Sequence, residues 1–314
     1  MGKRYEFVAA PQRSTEWLEL RAKGLGASDM AAVMGVSPYK TAYQLWAEKT
    51  GAIEPPKLGA AAQRGVLLED AVARYYELER DVKLRKSNGV VRLLEQPRFM
   101  ASLDRTIVGD RGIVEIKTSA SPRWSMYPVP PEVIAQTTWQ MGIVGAPWCD
   151  VAVLLGGLVF RIERVSFDEQ LWNMMRESAT RFLEAVDNAT APQLHPNDAA
   201  AFAAATPQAS DEIVVADDSA ERVFRQLREL QHEQHFLEEK ASALEIVLKE
   251  AIGERAGISG NGWTIYWKQA KTSAKTDWEA VARELGATDE LAAKHTTERA
   301  GSRRFVIKDG GLHD

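Results

Sequence analysis

Two carboxylates and a lysine lie close together between Asp104 and Lys117. Asp104 precedes a turn-like segment, residues 109–112, and Glu115 and Lys117 follow it two positions apart. In a β-strand, side chains two residues apart point to the same face. Carboxylates are the ligands that Mg²⁺ prefers, and a neighbouring ammonium can orient or deprotonate an attacking water. The spacing therefore suggests a metal-dependent phosphodiesterase site, although Glu-x-Lys occurs more commonly on a solvated strand face.

The segments around this motif predict a β-hairpin flanked by helices. Residues 101–107 and 112–118 alternate apolar and polar residues or run β-branched, and Gly109-Asp110-Arg111-Gly112 between them is turn chemistry. A helix over residues 60–79 carries Glu69, and one over residues 131–144 carries Gln136 and Gln140 four apart on one face. Further strands are predicted at residues 89–94, 98–103, 150–155 and 158–165, and further helices at residues 14–24, 30–34, 42–49 and 168–186. This order predicts an α/β fold with a mixed sheet covered by helices.

A possible anion pocket lies near the start of the chain. Ser28 is the natural N-cap of a short helix, Met30 to Met34, and Arg21 lies one helix earlier. Free N–H groups at a helix start, a hydroxyl and a guanidinium suit a terminal phosphate. Plain capping is the commoner use of such a serine.

Composition limits the classes of protein that this chain can represent. The single cysteine, Cys149, excludes a disulfide framework and a cysteine-built zinc or iron–sulfur site. No run approaches the roughly 20 apolar residues that a membrane span needs, and no secretory apolar segment follows the polar N-terminus. We therefore expect a cytoplasmic protein with no membrane partner.

Charge is distributed unevenly along the chain. The formal net charge is −5, but residues 1–185 hold 24 Lys and Arg against 22 Asp and Glu, whereas residues 186–314 hold 15 against 22. Several acids of the first part would lie in the metal site, so its outer surface is more basic than the sum suggests. The first part is therefore the candidate DNA-binding body.

Residues from about 10 to 185 resemble the YqaJ and lambda-exonuclease type of phage recombination nuclease, a branch of the PD-(D/E)xK superfamily. The match follows the family's order and intervals. It is carried by the segments Trp17–Asp29, Gly35–Lys40, Leu45–Gly51, Arg64–Glu69, Ser102–Asp104, Glu115–Lys117 and Ala135–Met141. The resemblance implies a PD-(D/E)xK restriction-endonuclease-like core.

The resemblance also implies a role for individual residues. Asp104, Glu115 and the Ile116 main-chain carbonyl would bind the catalytic metals, two Mg²⁺ ions that Mn²⁺ could replace. Lys117 would activate the water. Glu69 would join the metal shell directly or through water, and Gln136 would position groups at the edge of the site.

The same family holds the 5′-phosphate of the recessed DNA strand at positions that match Arg21, Ser28 and Ser102. The implied activity is Mg²⁺-dependent 5′→3′ degradation of linear double-stranded DNA to 5′-mononucleotides, which leaves 3′ overhangs for recombination by strand annealing. The implied partners are DNA ends, a single-strand annealing protein and copies of the chain in a ring, with a trimer favoured. A phage or prophage protein in the bacterial cytoplasm fits this activity. A PD-(D/E)xK endonuclease of other specificity and a non-catalytic DNA-end-binding protein stay open as alternatives.

One residue departs from the family pattern. Members often carry Pro-Asp-Gly at the first metal ligand, whereas here the sequence is Leu103-Asp104-Arg105. Arg105 would either contact DNA or point outward into solvent. Its role is not fixed by the sequence.

The remainder of the chain is clearer in shape than in chemistry. We predict a nuclease domain over residues 1–188, a linker over residues 189–217, and a C-terminal part over residues 218–314. The C-terminal part would hold a long helix and a small α+β tail, in which Trp263 to Trp267 pairs with a strand over residues 303–308. Apolar residues at heptad spacing predict a coiled-coil seam of about four heptads, and a single amphipathic helix packed on its own domain is the alternative.

Overall fold

The computed structural model describes residues 4–11, 14–57, 59–206, 212–270 and 276–297. The chain divides into two compact units, residues 1–208 and 209–314. Within the described ranges, no helix combines the length and apolar character that a membrane crossing requires.

The first unit contains a five-stranded mixed sheet and a smaller three-stranded sheet. The larger has the order β2-β5-β6-β7-β8, in which β6 and β7 are parallel and the other pairs antiparallel, and the smaller has the order β1-β3-β4. The strands are β1 Tyr5–Val8, β2 Leu84–Lys86, β3 Val90–Leu93, β4 Met100–Ala101, β5 Arg105–Ile107, β6 Ile113–Ser119, β7 Trp148–Leu155 and β8 Val159–Ser166.

Helices cover both faces of the larger sheet. In the described residues, the α-helices of the first unit are α1 Thr15–Lys23, α2 Met30–Val33, α3 Ala42–Lys49, α4 Ala60–Arg80, α5 Arg123–Met126, α6 Pro131–Val144, α7 Glu169–Asp187 and α8 Ala199–Ala205. On one face, α4 packs Val72 and Tyr76 against Val114 and Ile116 of β6. On the other, Trp139 of α6 joins a larger cluster with α7 that includes Ile113. The predicted fold class, a mixed sheet flanked by helices, is confirmed.

The predicted continuous strand over residues 101–107 is wrong. β4 ends at Ala101 in the smaller sheet, and β5 begins at Arg105 in the larger one. The chain therefore changes sheets between these strands, and Asp104 lies in the connection. The hairpin itself is present, because β5 pairs with β6 across residues 109–112 and Gly109 supplies the positive φ of 83° in the turn.

The stretch after α7 contains structure of its own. Asp198, in a 3₁₀ turn before α8, accepts a hydrogen bond of 2.5 Å from the hydroxyl of Thr41, and Phe202 of α8 lies 6.3 Å from the ring of Tyr43. Asp198 and Phe202 thus pack against α3 and the residue before it, within the first unit. The linker over residues 189–217 and the domain boundaries around it stay a prediction.

The second unit begins with a long helix, α9 Asp218–Ile252. It continues with β9 Gly257–Gly260, β10 Trp263–Tyr266, α10 Trp278–Glu284 and α11 Asp289–Lys294. The predicted strand around Trp263 is present, and it pairs antiparallel with β9. Its predicted partner, residues 303–308, lies outside the described residues.

Candidate active site

Asp104 is held where the β5–β6 ladder stops. The last residues paired between β5 and β6 are Arg105 and Val114. The next N–H of β6 on the β5 side, that of Ile116, therefore has no partner in β5. The Oδ2 atom of Asp104 accepts a hydrogen bond from that N–H at 2.8 Å. Because the N–H and C=O of one strand residue face the same neighbour, we expect the Ile116 carbonyl to face Asp104 as well.

Glu115 and Lys117 project from β6 toward α6, as their spacing predicts. Lys117 Nζ donates to Glu115 Oε1 at 2.5 Å and to Gln136 Oε1 at 2.9 Å. Gln136 Nε2 donates to the same Glu115 oxygen at 2.5 Å. The three side chains therefore form a closed hydrogen-bonded triangle between one strand and one helix.

Gln140 also belongs to this group, although it is not among the site residues predicted from the sequence. Its Nε2 donates to Glu115 Oε2 at 2.7 Å and to the main-chain carbonyl of Ser102 at 3.0 Å. It is buried, and its Oε1 atom has no hydrogen-bond partner within the described part of the chain. The signal was available, because Gln136 and Gln140 lie one turn apart on the same helix face.

The acidic groups repel one another inside the site. Burial raises the pKa of Asp104 well above its usual range, and the charge of nearby Glu115 raises it further. Burial would lower the pKa of Lys117, but Glu115 and Asp104 outweigh it, so this pKa is raised above its usual value. Lys117 is thus an ammonium at neutral pH, and the carboxylates still lack a full set of counter-charges.

The donor set fits a hard divalent cation. In the described ranges, no three His, Cys, Asp or Glu side chains converge in a geometry able to hold a metal. Two carboxylates do converge, however, with a main-chain carbonyl expected beside them. Burial and the charge of Glu115 both raise the pKa of Asp104, and a bound cation would offset both. Oxygen ligands of this kind, completed by water, suit Mg²⁺.

Glu69 lies near Asp104 but is engaged by Arg105. Arg105 Nη1 donates to Glu69 Oε1 at 2.6 Å and to the carbonyl of Asp104 at 2.7 Å, while Nη2 pairs with Asp70. Lys86 adds a second ion pair to Asp70 at 2.8 Å. Arg105 is only 4% exposed. The expectation of an outward surface arginine is wrong, because two carboxylates of α4 hold Arg105 inside the protein. A contact of Arg105 with DNA stays a hypothesis.

Arg21 and Ser28 lie together, but Ser28 is not a helix cap. Arg21 Nη2 donates to Ser28 Oγ at 3.2 Å and forms an ion pair of 2.5 Å with Asp29. Ser28 lies inside a 3₁₀ turn, Ala27–Asp29, and the start of that turn is held by Asp29, which accepts from the N–H of Gly26 at 3.0 Å. The N-cap position of α2 is therefore Asp29, and its carboxylate bonds Gly26 and Arg21 and not the N–H groups of that helix.

Ser102 is connected to this cluster through an aromatic ring. The indole N–H of Trp17 donates to Ser102 Oγ at 3.2 Å, and the guanidinium of Arg21 lies 5.6 Å from the Trp17 ring centre. Lys49 also reaches the cluster, at 3.3 Å from Asp29. Burial alone would raise the pKa of Asp29, but Arg21 and Lys49 more than offset it, so its pKa is lowered. Two cations therefore surround one carboxylate.

One open cleft of about 920 Å³ joins most of these residues. Its lining includes five predicted catalytic residues and Ser28, namely Glu69, Asp104, Glu115, Lys117, Gln136 and Ser28. Ser102 instead lines a small adjoining cavity with Asp104 and Glu69. Arg21 lines neither. The structure thus gathers the predicted catalytic group in one place and puts only part of the predicted phosphate group beside it.

Comparison with known proteins shows what this part of the chain resembles. Residues 16–147 match the model of the YqaJ-like viral recombinase domain. Every predicted site residue, from Arg21 to Gln136, lies inside the matched range, as does Gln140. The family resemblance predicted from the sequence is confirmed for this domain.

The chain is also similar to individual proteins. It is 32% identical over 188 residues to the uncharacterized protein YqaJ of Bacillus subtilis (strain 168), a match that covers 57% of this chain and 59% of that protein. The chain therefore spans about three fifths of the length of this relative.

Two solved exonuclease structures are also similar to the chain. The alkaline exonuclease LHK-Exo of Laribacter hongkongensis is 24% identical with a TM-score of 0.47, covering 56% of this chain and 94% of that one. A phage related exonuclease of Haemophilus somnus 129PT is 11% identical with a TM-score of 0.45, covering 53% and 94%.

Proposed function

We propose that the YqaJ-like domain is a Mg²⁺-dependent 5′→3′ exonuclease that acts on linear double-stranded DNA. The observation that carries the proposal is the convergence of Asp104, Glu115 and Lys117 on one open cleft. The domain would release 5′-mononucleotides and leave 3′ overhangs for phage-type recombination by strand annealing in the host cytoplasm.

The chemistry divides between the metal and the protein. Bound Mg²⁺ would stabilise charge on the attacking and leaving oxygens of the phosphodiester. Asp104, Glu115 and the Ile116 carbonyl would hold it. Lys117, as an ammonium, would orient the attacking water and balance developing negative charge, because its raised pKa disfavours proton acceptance. Gln136 would keep Lys117 in place.

Gln140 and Glu69 would support the metal ligands from two sides. Gln140 holds the outer oxygen of Glu115 and the backbone of Ser102, so it fixes the distance between β6 and the segment that carries Asp104. Glu69 would reach the metal shell through water, because one of its oxygens is already committed to Arg105. Each support keeps a reacting group within the narrow range of positions that catalysis needs.

The cluster of Arg21, Ser28 and Ser102 would bind the 5′-phosphate of the strand being degraded. Arg21 and Lys49 exceed Asp29 by one positive charge, which favours an anion at this place. Binding each new 5′-phosphate would position the next bond for cleavage. Further proposed partners are a single-strand annealing protein and a ring of copies, with a trimer favoured.

The test is digestion of a linear duplex labelled at either the 5′ or the 3′ end, in Mg²⁺ or EDTA. We expect early release of the 5′ label as a mononucleotide in Mg²⁺ and none in EDTA. Lys117→Ala should lower the rate by about 100-fold or more. Lys83→Ala, which changes an exposed lysine before β2, is the matched control and should leave the rate unchanged.

Three results would contradict parts of this proposal. Full activity in Lys117→Ala would contradict the mechanism in which Lys117 orients the attacking water. Early release of the 3′ label would reverse the polarity. Cutting of covalently closed circular DNA would favour an endonuclease instead.

A further inference from the structure

The α9 helix exposes almost its whole length. It spans 35 residues, which corresponds to about 52 Å. Asp217 caps its start by accepting from the N–H of Ala220 at 2.7 Å, and Ile252 at its last turn is its one buried residue in the described chain. The helix is thus well formed locally, while its sides have little packing of their own.

An apolar seam runs along this exposed helix. Leu230, Leu237 and Leu244 are 63%, 56% and 66% exposed. They belong to a heptad pattern whose members are Ala220, Val223, Leu227, Leu230, Gln234, Leu237, Ala241, Leu244, Leu248 and Ala251. A shallow apolar depression lies at its centre, between Leu230, Leu237 and Ala241. A continuous apolar surface of this length is the usual mark of a protein interface.

The charged residues beside the apolar seam favour a second copy of α9 as the partner and an antiparallel direction of pairing. Glu233 and Lys240 occupy equivalent positions on one edge of the seam, one heptad apart. If a second copy of α9 packs antiparallel and is centred between Gln234 and Leu237, each Glu233 faces Lys240 of the other copy. A shift of one heptad in either direction would instead oppose two Glu233 or two Lys240 side chains. A parallel pair would oppose Glu233 and Glu238.

The side chains along the seam fit the same register. Leu227 would meet Leu244, Val223 would meet Leu248, and the larger Leu230 would meet the smaller Ala241. The polar Gln234 would lie in the two central layers, where a buried amide fixes register at some cost in stability. No like charges face each other in this arrangement.

We propose that α9 forms an antiparallel coiled coil with α9 of a second copy of this chain, in the register centred between Gln234 and Leu237. This pairing does not depend on the nuclease activity or on any contact of the first unit.

Cysteine cross-linking of the full chain tests the direction. The native Cys149 is buried, so it gives little background. In the proposed register Ala220 of one copy lies opposite Ala251 of the other, whereas the two Ala220 residues are about 46 Å apart. A mixture of Ala220→Cys and Ala251→Cys chains of different mass should give the mixed cross-linked dimer. Each variant alone should give none.

Charge substitutions test the register by sedimentation equilibrium. Glu233→Lys should weaken the dimer by about tenfold, since two attractive contacts become repulsive. Lys240→Glu should weaken it similarly, and the double exchange should restore it. A monomer, or an assembly that Glu233→Lys leaves unchanged and that gives no mixed cross-link, would overturn the proposal. Cross-linking of Ala220→Cys with itself or a tighter assembly in Glu233→Lys would also overturn it, by indicating a parallel pair.

Discussion

Replacing Arg105 by methionine removes the buried cation that joins α4 to the start of β5 while keeping a side chain of similar length. Glu69, whose side chain is 18% exposed, would lose its partner at 2.6 Å and keep only Lys86 at 3.7 Å. Asp70 would lose little, because its side chain is 74% exposed and stays paired with Lys86. The cost of the substitution therefore comes mainly from Glu69.

The magnitude follows from this difference in exposure. Breaking a fully buried ion pair costs roughly 3 to 5 kcal/mol, and an exposed pair contributes about 0 to 1 kcal/mol. Because Glu69 is partly exposed and Lys86 stays nearby, we expect a loss of about 2 to 3 kcal/mol in the free energy of unfolding. For a unit of this size, the melting temperature should fall by about 4 to 12 °C.

Urea and thermal unfolding of the full chain measure this loss, with Arg85→Met as the matched control on exposed β2. A second measurement separates an internal role from a DNA contact. The salt dependence of DNA binding by Arg105→Met should match that of the wild type, since Arg105 is buried. Unchanged stability together with a shallower salt dependence would refute the internal role.

Three further substitutions test the rest of the site. Gly26→Ala would place a Cβ 1.4 Å from Arg21 Nη1, so the guanidinium must move. The preference for 5′-phosphorylated over 5′-hydroxyl ends should then fall several-fold in a digestion assay, and an unchanged preference would contradict the phosphate role. Asp104→Asn should abolish digestion yet stabilise the metal-free protein at pH 7 by about 0.5 to 2 kcal/mol, because it removes a repelled charge. The pKa of Asp104 is raised in the folded state, so its charge costs stability as pH rises through that pKa. The stability advantage of Asp104→Asn should therefore shrink as pH falls toward about 4. Mg²⁺ should raise the melting temperature of the wild type and not that of this variant. Gln140→Leu leaves a Glu115 oxygen unpaired at a buried position and should cost about 1 to 3 kcal/mol in urea unfolding, with a matching loss of activity.

Local sequence was enough to predict most elements of the first unit. The helices at residues 42–49 and 131–144 have the predicted bounds, because capping and apolar spacing are local signals. The pairing of Glu115 with Lys117 was predictable for the same reason, since a strand has a fixed period. The short strands β1 and β2 were missed, because their few residues carry little pattern of their own.

Side-chain direction needed the tertiary structure. Arg105 could not be oriented from its neighbours in sequence, because the carboxylates that hold it, Glu69 and Asp70, lie 36 and 35 positions earlier. Ser28 likewise has the residue type of a cap, but Asp29 occupies the N-cap position of α2, and its carboxylate accepts from Arg21 and from the N–H of Gly26. Ion pairs between residues far apart in sequence fix the directions of these side chains, and no local propensity predicts those pairs.

The sequence by itself determined the chemistry available to this protein: two carboxylates and a lysine at strand spacing, glutamines at helical spacing, and the motifs of the YqaJ-like domain. The tertiary structure decided which groups meet. It brought Gln140 onto Glu115, turned Arg105 inward, and left the seam of α9 exposed. The physical reason is that residue type and period fix what a side chain can do and which face it takes, whereas contacts between distant elements fix what it faces.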